Sequence, residues 1–258
     1  MDFVEMMSLE KHGTDTYVGT GPSYPWGGLF GGQIVAQALR AAGHTVEERF
    51  HPHSLHAYYI RRGDSSEPIR YEVDRLRNGR SFVTRQVVAR QSTGAILTMI
   101  ASFQVEEESP EIQLLTIPTA PPPEELSDDS WSSAFERRTV TDHEDVTRSR
   151  AWIRMNSDLG DDPMLHACGL AYSSDDLPAE PVSRMYPKAN PTDQLSGVSL
   201  DHAVWFHRPF RADQWRLEDI HAVELGNGRG LSRGYIFGQD GTHISSLSQE
   251  VLVRKRRS

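Results

Sequence analysis

The 258-residue chain is poor in cysteine and in long apolar runs. A single cysteine, Cys168, excludes an intramolecular disulfide and is typical of a reducing compartment. No stretch approaches the roughly 18 apolar residues that a membrane span requires. The first residues carry acids and no apolar run, so they do not resemble a secretory signal. We therefore expect a cytoplasmic protein without a membrane span.

The chain also lacks an excess of basic residues. Its formal net charge is -9, and the segment from Glu106 to Arg150, with twelve acids against four arginines, accounts for nearly all of it. Nucleic-acid binding without sequence preference needs a basic face, so this balance argues against a nucleic-acid partner. The rest of the chain is close to neutral and is compatible with an anionic ligand.

Several common catalytic motifs are missing. A serine nucleophile of the α/β-hydrolase type needs G-x-S-x-G, and the nearest match, residues 197–201, lacks the second glycine. Cys168 lies in an apolar stretch, where a thiol is typical of a core position. His51, His53 and His56 have no carboxylate or cysteine interleaved among them, so they do not form a metal-binding pattern. We predict a protein that needs no metal and no cofactor.

An acidic, proline-rich segment divides the chain. It includes three consecutive prolines at positions 121–123, a composition typical of an extended connector. The sequence therefore predicts a first unit at residues 1–105, a linker at residues 106–150 and a second unit at residues 151–258.

The two predicted units resemble each other in sequence. Four short blocks occur in the same order in both halves with similar spacing, which indicates a duplicated unit. The matching blocks are residues 56–62 with 202–208, 78–80 with 227–229, 91–94 with 239–241, and 101–104 with 246–249.

Each half combines one apolar helix with several strands. Residues 31–42 are small or apolar with no acid and are followed by Gly43, which predicts a buried helix. In the second half, Asp162 and Pro163 form a favourable start for a helix through residue 172. Runs rich in β-branched and aromatic residues follow both helices, with turn residues between them. The fold class is therefore α+β, with a long antiparallel sheet wrapped round a central helix in each half.

Beyond this pattern, the amino-acid sequences of several blocks resemble those of the acyl-CoA thioesterase II family. They are LFGGQIVAQAL, HSLHAYYIRRGD, RNGRSF and ASFQ in the first half, and AYSSD, LDHAVWFHRPF, QDG and SQE in the second. The resemblance implies a tandem, or double, hotdog fold and hydrolysis of acyl-CoA to free fatty acid and coenzyme A. The chain departs from the family at Arg62, where proline is usual before Gly63 and Asp64.

The resemblance also implies a site in the second half. Family members hold the attacking water with an aspartate, a threonine or serine, and a glutamine, which correspond here to Asp175, Ser199 and Gln249. Because Asp176 follows directly, the register of the aspartate is open by one residue. These residue types suit the reaction, since a carboxylate can accept a proton from water while a hydroxyl and a carboxamide position it.

Further residues are expected to bind the substrate: Gly31, Gly32, Gln33 and His56. The two glycines open the first helix, so their N–H groups are candidates for stabilising an oxyanion. The alternative is that Gly31 and Gly32 only allow close packing, and the sequence slightly favours this alternative.

Two other functions compete with thioester hydrolysis. Asp161 and His166 have the spacing of the dyad with which hotdog enoyl-CoA hydratases add water to a double bond, although the residues between them do not match that motif. A non-catalytic acyl-binding protein is the third alternative. Exposed sheet edges favour a homo-oligomer, and the resemblance to the family implies one as well.

Overall fold

The computed structural model describes residues 1–141, 145–186 and 195–255, and its main element is one antiparallel sheet. The first half contributes β1 to β6, which are Glu10–Lys11, Thr16–Gly19, Phe50–Tyr59, Ile69–Asn78, Phe82–Gln91 and Gly94–Val105. The second half contributes β7 to β13, which are Phe135–Val140, Arg148–Met155, Leu195–Ser199, Asp201–Phe206, Arg216–Gly226, Arg229–Gly238 and His243–Lys255. The helices are α1 to α4: Phe3–Met6, Gly31–Gly43, Pro163–Ser173 and Ala179–Met185.

The strand order repeats about the centre of the sheet. From the centre outward the first half runs β3-β6-β5-β4-β2-β1, and the second half runs β10-β13-β12-β11-β8-β7. The two halves join where β3 pairs with β10, and β9 adds to β13. The two halves therefore have matching strand orders, with β2 and β8 in corresponding places.

Helix α2 is buried along almost its whole length. Ten of its thirteen residues are buried, as expected for a helix made of small and apolar residues. It packs against α3 and against β4, β5 and β6. The predicted helix is confirmed to within one residue, since it ends at Gly43.

Helix α3 begins as its sequence predicts. Asp162 is the N-cap and accepts a hydrogen bond from the Met164 backbone N–H at 2.9 Å, and Pro163 occupies the first turn. Eight of its eleven residues are buried. This helix ends at Ser173, and Ser174 and Asp175 follow directly. The packing of the helix therefore fixes where those two residues enter the interior.

The segment between the repeats differs from the expected linker. Residues 106–122 lie in an irregular stretch, but β7 and the start of β8 also lie within residues 106–150. These strands pair with each other, and β8 pairs with β11, so they extend the sheet of the second half. The irregular part lies against that half, where Gln113 bonds to Gly241 O and to His243 N. The second unit thus includes strand β7, ahead of residue 151.

In the part of the chain that the structure describes, no helix has both the length and the apolar character needed to cross a membrane.

Candidate active site

Asp175, Ser199 and Gln249 meet in the interior of the second half. Ser199, at the end of β9, donates a hydrogen bond to Asp175 Oδ1 at 2.9 Å. The Gln249 carboxamide, from β13, donates to Ser199 Oγ at 2.8 Å. Asp175 and Gln249 are buried, and Ser199 is partly exposed. The three side chains predicted from separate sequence blocks therefore form one connected group.

Asp176 has different surroundings. Its Oδ1 accepts from Trp131 Nε1 at 2.6 Å, and its Oδ2 accepts from Arg137 Nη1 at 2.9 Å. Both carboxylate oxygens are thus occupied by fixed donors, which is typical of a supporting ion pair. The register left open by the sequence is therefore decided geometrically: Asp175, and not Asp176, faces Ser199.

Burial dominates the electrostatics of Asp175. Loss of hydration raises its pKa to about 7, against hydrogen bonds from Ser199, Gln249 and the Gly32 backbone N–H that lower it. The negative charge of Asp176 raises it further. A carboxyl group with this pKa exchanges its proton near neutral pH, which suits a general base.

A directed chain of hydrogen bonds orients Gln249. His202 lies on β10, is fully buried, and contacts Gln249 Oε1 through Nδ1 at 2.5 Å. Its Nε2 lies 2.9 Å from Ser174 Oγ. Burial lowers the pKa of His202 to about 4, so the ring is neutral. Because Gln249 Oε1 can only accept, Nδ1 carries the proton and Nε2 accepts from Ser174.

Gly31 and Gly32 place the start of α2 against this group. A Cβ atom on Gly31 would lie 2.5 Å from Asp175 Oδ2, so only glycine permits this approach. A Cβ atom on Gly32 would lie 2.1 Å from the Tyr172 carbonyl oxygen, which reflects close packing of α2 on α3. The Gly32 N–H also bonds to Asp175. The structure thus shows close packing at both glycines and directs the Gly32 N–H to Asp175, and donation to an oxyanion stays a prediction.

The other two predicted binding residues lie elsewhere. Gln33 is fully buried, and its carboxamide accepts from the Tyr24 hydroxyl at 2.8 Å and donates to Gln37 Oε1 at 3.3 Å. It is thus part of an internal polar cluster. His56 is exposed on the outer face of β3, 5.1 Å from the Trp205 ring. Side chains alternate along a strand, so His56 points away from the face that carries Leu55 and Ala57 and towards solvent. The structure therefore places His56 away from the group of Asp175, Ser199 and Gln249, and its role in substrate binding stays a prediction.

The hydratase dyad is not assembled. Asp161 is exposed and pairs with Arg211 at 3.1 Å. The His166 ring is buried, with Nδ1 accepting from the Ala212 N–H at 3.1 Å and Nε2 3.0 Å from the Gly160 carbonyl oxygen. Both ring nitrogens therefore serve the local structure around the start of α3, and neither is free to move a proton.

No metal site emerges from the side chains that the structure describes: none of their histidine, cysteine and acidic groups gather three potential ligands. His53 bonds to Ser102 Oγ at 2.8 Å, and His51 is exposed on the outer side of β3. Cys168 is buried, which raises the pKa of its thiol to about 12, and this agrees with the predicted core role.

Sequence reasoning missed three supporting residues. His202 stands in the repeated block and next to Asp201, but its contact with Gln249 comes from strand pairing across 47 positions. Trp131 and Arg137 lie in the segment assigned to the linker. Only their residue types gave a signal, since a tryptophan and an arginine in an acidic connector are candidates for anchoring it to the protein.

Family models match both halves of the chain. The family model described as the acyl-CoA thioesterase N-terminal domain matches residues 20–104, and the one described as the acyl-CoA thioesterase C-terminal domain matches residues 113–253. The chain is similar to acyl-coenzyme A thioesterase 8 of Homo sapiens, with 34% identity over 96% of this chain and 88% of the human protein.

Solved structures give the same result. An acyl-CoA thioesterase II from Mycobacterium marinum is 36% identical, with a TM-score of 0.85 over 99% of this chain and 98% of that one. A protein with the hotdog fold from Alicyclobacillus acidocaldarius is 20% identical, with a TM-score of 0.81 over 99% and 98% of the two chains. The second similarity shows the fold alone, which is the hotdog fold.

Proposed function

The chain belongs to the acyl-CoA thioesterase II family and is an acyl-CoA thioester hydrolase, and from this premise we propose how it cleaves its substrate. Asp175 acts as the general base, while Ser199 and Gln249 position the attacking water. The observation that carries the proposal is the connected group of Asp175, Ser199 and Gln249, in which the carboxyl has a pKa of about 7.

The reaction proceeds in two steps. Asp175 removes a proton from water while the water oxygen forms a bond to the thioester carbon. The electron pair of the carbonyl double bond moves to the carbonyl oxygen. When the tetrahedral intermediate collapses, the carbon–sulfur bond breaks and the coenzyme A thiolate takes up the proton held by Asp175. The products are a free fatty acid and coenzyme A, and no group of the protein changes covalently. The proton transfer contributes roughly a hundred- to ten-thousandfold to the rate.

We also propose that the two halves form a double hotdog. Its support is the mirrored strand order on either side of β3 and β10, with α2 and α3 in corresponding places. The catalytic group then belongs to the second repeat, which extends from β7 to β13, and the first repeat contributes the start of α2.

Release of free thiol from a panel of acyl-CoA substrates of increasing chain length tests the reaction. Purified protein should liberate coenzyme A from saturated acyl-CoA with or without a chelator, and an enoyl-CoA hydration assay should run alongside. Hydration of enoyl-CoA with saturated thioesters left intact would overturn the proposal. The same panel gives the preferred chain length.

Two neighbouring substitutions test the site. Asp175→Asn keeps the size and most hydrogen bonding of the base but removes its basicity, so kcat should fall by about a hundredfold or more. Asp176→Asn weakens the pair with Arg137 and should mainly lower stability. Near-normal turnover in Asp175→Asn beside an inactive, folded Asp176→Asn would assign the base to Asp176.

We also propose a cytoplasmic homo-oligomer. Its support is the single, buried cysteine and an apolar outer face around the central strands, where Tyr58, Ile100 and Trp205 are 60%, 47% and 36% exposed. Such a patch is a favourable interface for a second copy. Sedimentation of the wild type and of Trp205→Asp tests it, since the charge should shift the population towards monomer.

A further inference from the structure

Tyr59 brings a buried hydroxyl from the first half to the side of Asp175 in the second half. The residue ends β3, and its backbone N–H bonds to the Leu200 carbonyl oxygen at 3.0 Å, one residue after Ser199. Its side chain points inward, opposite to the exposed Tyr58. The hydroxyl oxygen is buried and makes no hydrogen bond of standard geometry with the described residues, and the Asp175 carboxylate lies near enough to act on it.

Gly31 locates this hydroxyl relative to the base. A Cβ atom on Gly31 would lie 2.9 Å from the Tyr59 hydroxyl oxygen and 2.5 Å from Asp175 Oδ2, so both oxygens face the same point above the start of α2. Oδ2 is the carboxylate oxygen that Ser199 leaves free, since Ser199 bonds to Oδ1. Water activated at Oδ2 would therefore lie beside Tyr59.

The hydroxyl remains a donor over the working pH range. Burial raises the pKa of Tyr59 well above its ordinary value of 10, and the charge of Asp175 adds to this effect. The protonated hydroxyl beside the Asp175 carboxylate can therefore donate to water or to a ligand held there.

We propose that Tyr59 is a further catalytic residue, whose hydroxyl donates a hydrogen bond to the hydrolytic water at Asp175 Oδ2. The inference rests on the proposed roles of Asp175, Ser199 and Gln249. Tyr59 keeps its proton throughout the reaction. The water loses one proton to Asp175 as its oxygen bonds to the thioester carbon, and Tyr59 continues to donate its hydrogen bond to that oxygen. Ser199 thus donates to Oδ1 of the base, and Tyr59 donates to the water held at Oδ2.

Tyr59→Phe removes one oxygen atom and keeps the ring, and Tyr58→Phe is the matched control on the adjacent, exposed residue. In Tyr59→Phe we expect kcat to fall by about ten- to a hundredfold through lost positioning, with KM for acyl-CoA within about twofold of wild type. The acid limb of the kcat/KM profile should stay in place. Tyr58→Phe should match the wild type.

Thermal unfolding of each variant shows whether it folds, and Asp175→Asn is measured in the same series. An unchanged kcat in folded Tyr59→Phe, with Asp175→Asn inactive, would overturn the role of Tyr59 alone. Activity in Asp175→Asn would overturn the proposed base. A fall in kcat with the acid limb moved to higher pH would also overturn the inference, because Tyr59 would then act through the charge of Asp175.

Discussion

At the scale of single residues, the activity depends on a balance around the Asp175 carboxyl. Complete loss of hydration would leave it protonated and inactive, whereas stronger hydrogen bonding would make it a poor base. Donors from Ser199, Gln249 and Gly32 oppose burial, and the resulting pKa is about 7. Asp176 contributes a neighbouring charge without contacting Ser199.

The pH dependence of kcat/KM follows from this balance. Only the unprotonated carboxylate accepts a proton, so kcat/KM should rise about tenfold per pH unit below pH 7 and level off above it. Asp176→Asn removes a charge that raises the pKa of Asp175, so its acid limb should lie at lower pH. A profile measured with one saturated acyl-CoA checks both statements. A limb that does not move in Asp176→Asn would contradict the electrostatic coupling.

His202 should matter through orientation alone. Its Nδ1–H fixes Gln249 Oε1, which turns the amide nitrogen towards Ser199. In His202→Ala the carboxamide can rotate, and kcat should fall by about ten- to a hundredfold with little change in KM. His202→Asn, which can present an N–H near the same place, should recover part of the loss. Equal activity of both variants and the wild type would show that Gln249 is oriented by other contacts.

The sequence predicted the connected group of Asp175, Ser199 and Gln249 better than it predicted the neighbours of that group. Asp175, Ser199 and Gln249 each lie in a short block with recognisable neighbours. His202 and Tyr59 act through contacts with residues far away in the chain, and a sequence pattern carries no sign of such a pair. His56 lies outside this group for a related reason: the repeat aligns it with His202, but the strands place the His56 side chain outside and the His202 side chain inside.

At the scale of secondary structure, the start of α2 is the element on which the site depends most. The helix brings Gly31 and Gly32 to the carboxylate at its N-terminal end, where the helix dipole and free N–H groups favour a negative charge. The approach requires that residue 31 have no side chain, because the space for a Cβ atom is bounded by Asp175 and Tyr59.

Gly31→Ala should therefore displace the carboxylate and lower kcat by about a hundredfold. Gly226→Ala is a suitable control, since a Cβ atom there would meet only Glu224 Oε1, at 3.9 Å. Turnover and thermal unfolding of both variants give the comparison. If Gly31→Ala keeps its turnover, the carboxylate does not need this close approach.

Elements with strong local signals were predicted closely. Helices α2 and α3 have clear starts and apolar composition, and the Asn78–Gly79 turn does join β4 and β5. Strands β7 and β8 were not predicted. The acidic, proline-rich composition of residues 106–125 led to a predicted linker that also included the charged residues after it, up to residue 150. Strand β7 lies at the end of the sheet and has four partly exposed residues of six, so it lacks the apolar run by which an inner strand is identified.

At the scale of the whole molecule, the two halves share one sheet but contribute unequally to the candidate site. The base, the hydroxyl and the carboxamide come from the second half, whereas the first half contributes the start of α2 and Tyr59. The contact between β3 and β10 joins them, so the site lies where the repeats meet. In the proposed mechanism, the contact between the two halves therefore serves the site as well as the core.

The glutamines at corresponding places in the repeat test this division. Gln104 matches Gln249 in sequence, but it is only partly buried and its nearest bonded group is Glu107, at 3.4 Å. The stretch from Gly27 to Thr45, which corresponds to the region of Asp175, contains no acid, so the first half cannot activate water by the same route. Gln249→Ala should lower kcat by about ten- to a hundredfold, whereas Gln104→Ala should leave kcat nearly unchanged and affect only KM or stability. Steady-state kinetics on the two folded variants decide the matter, and equal losses of kcat would mean that both halves take part in the chemistry.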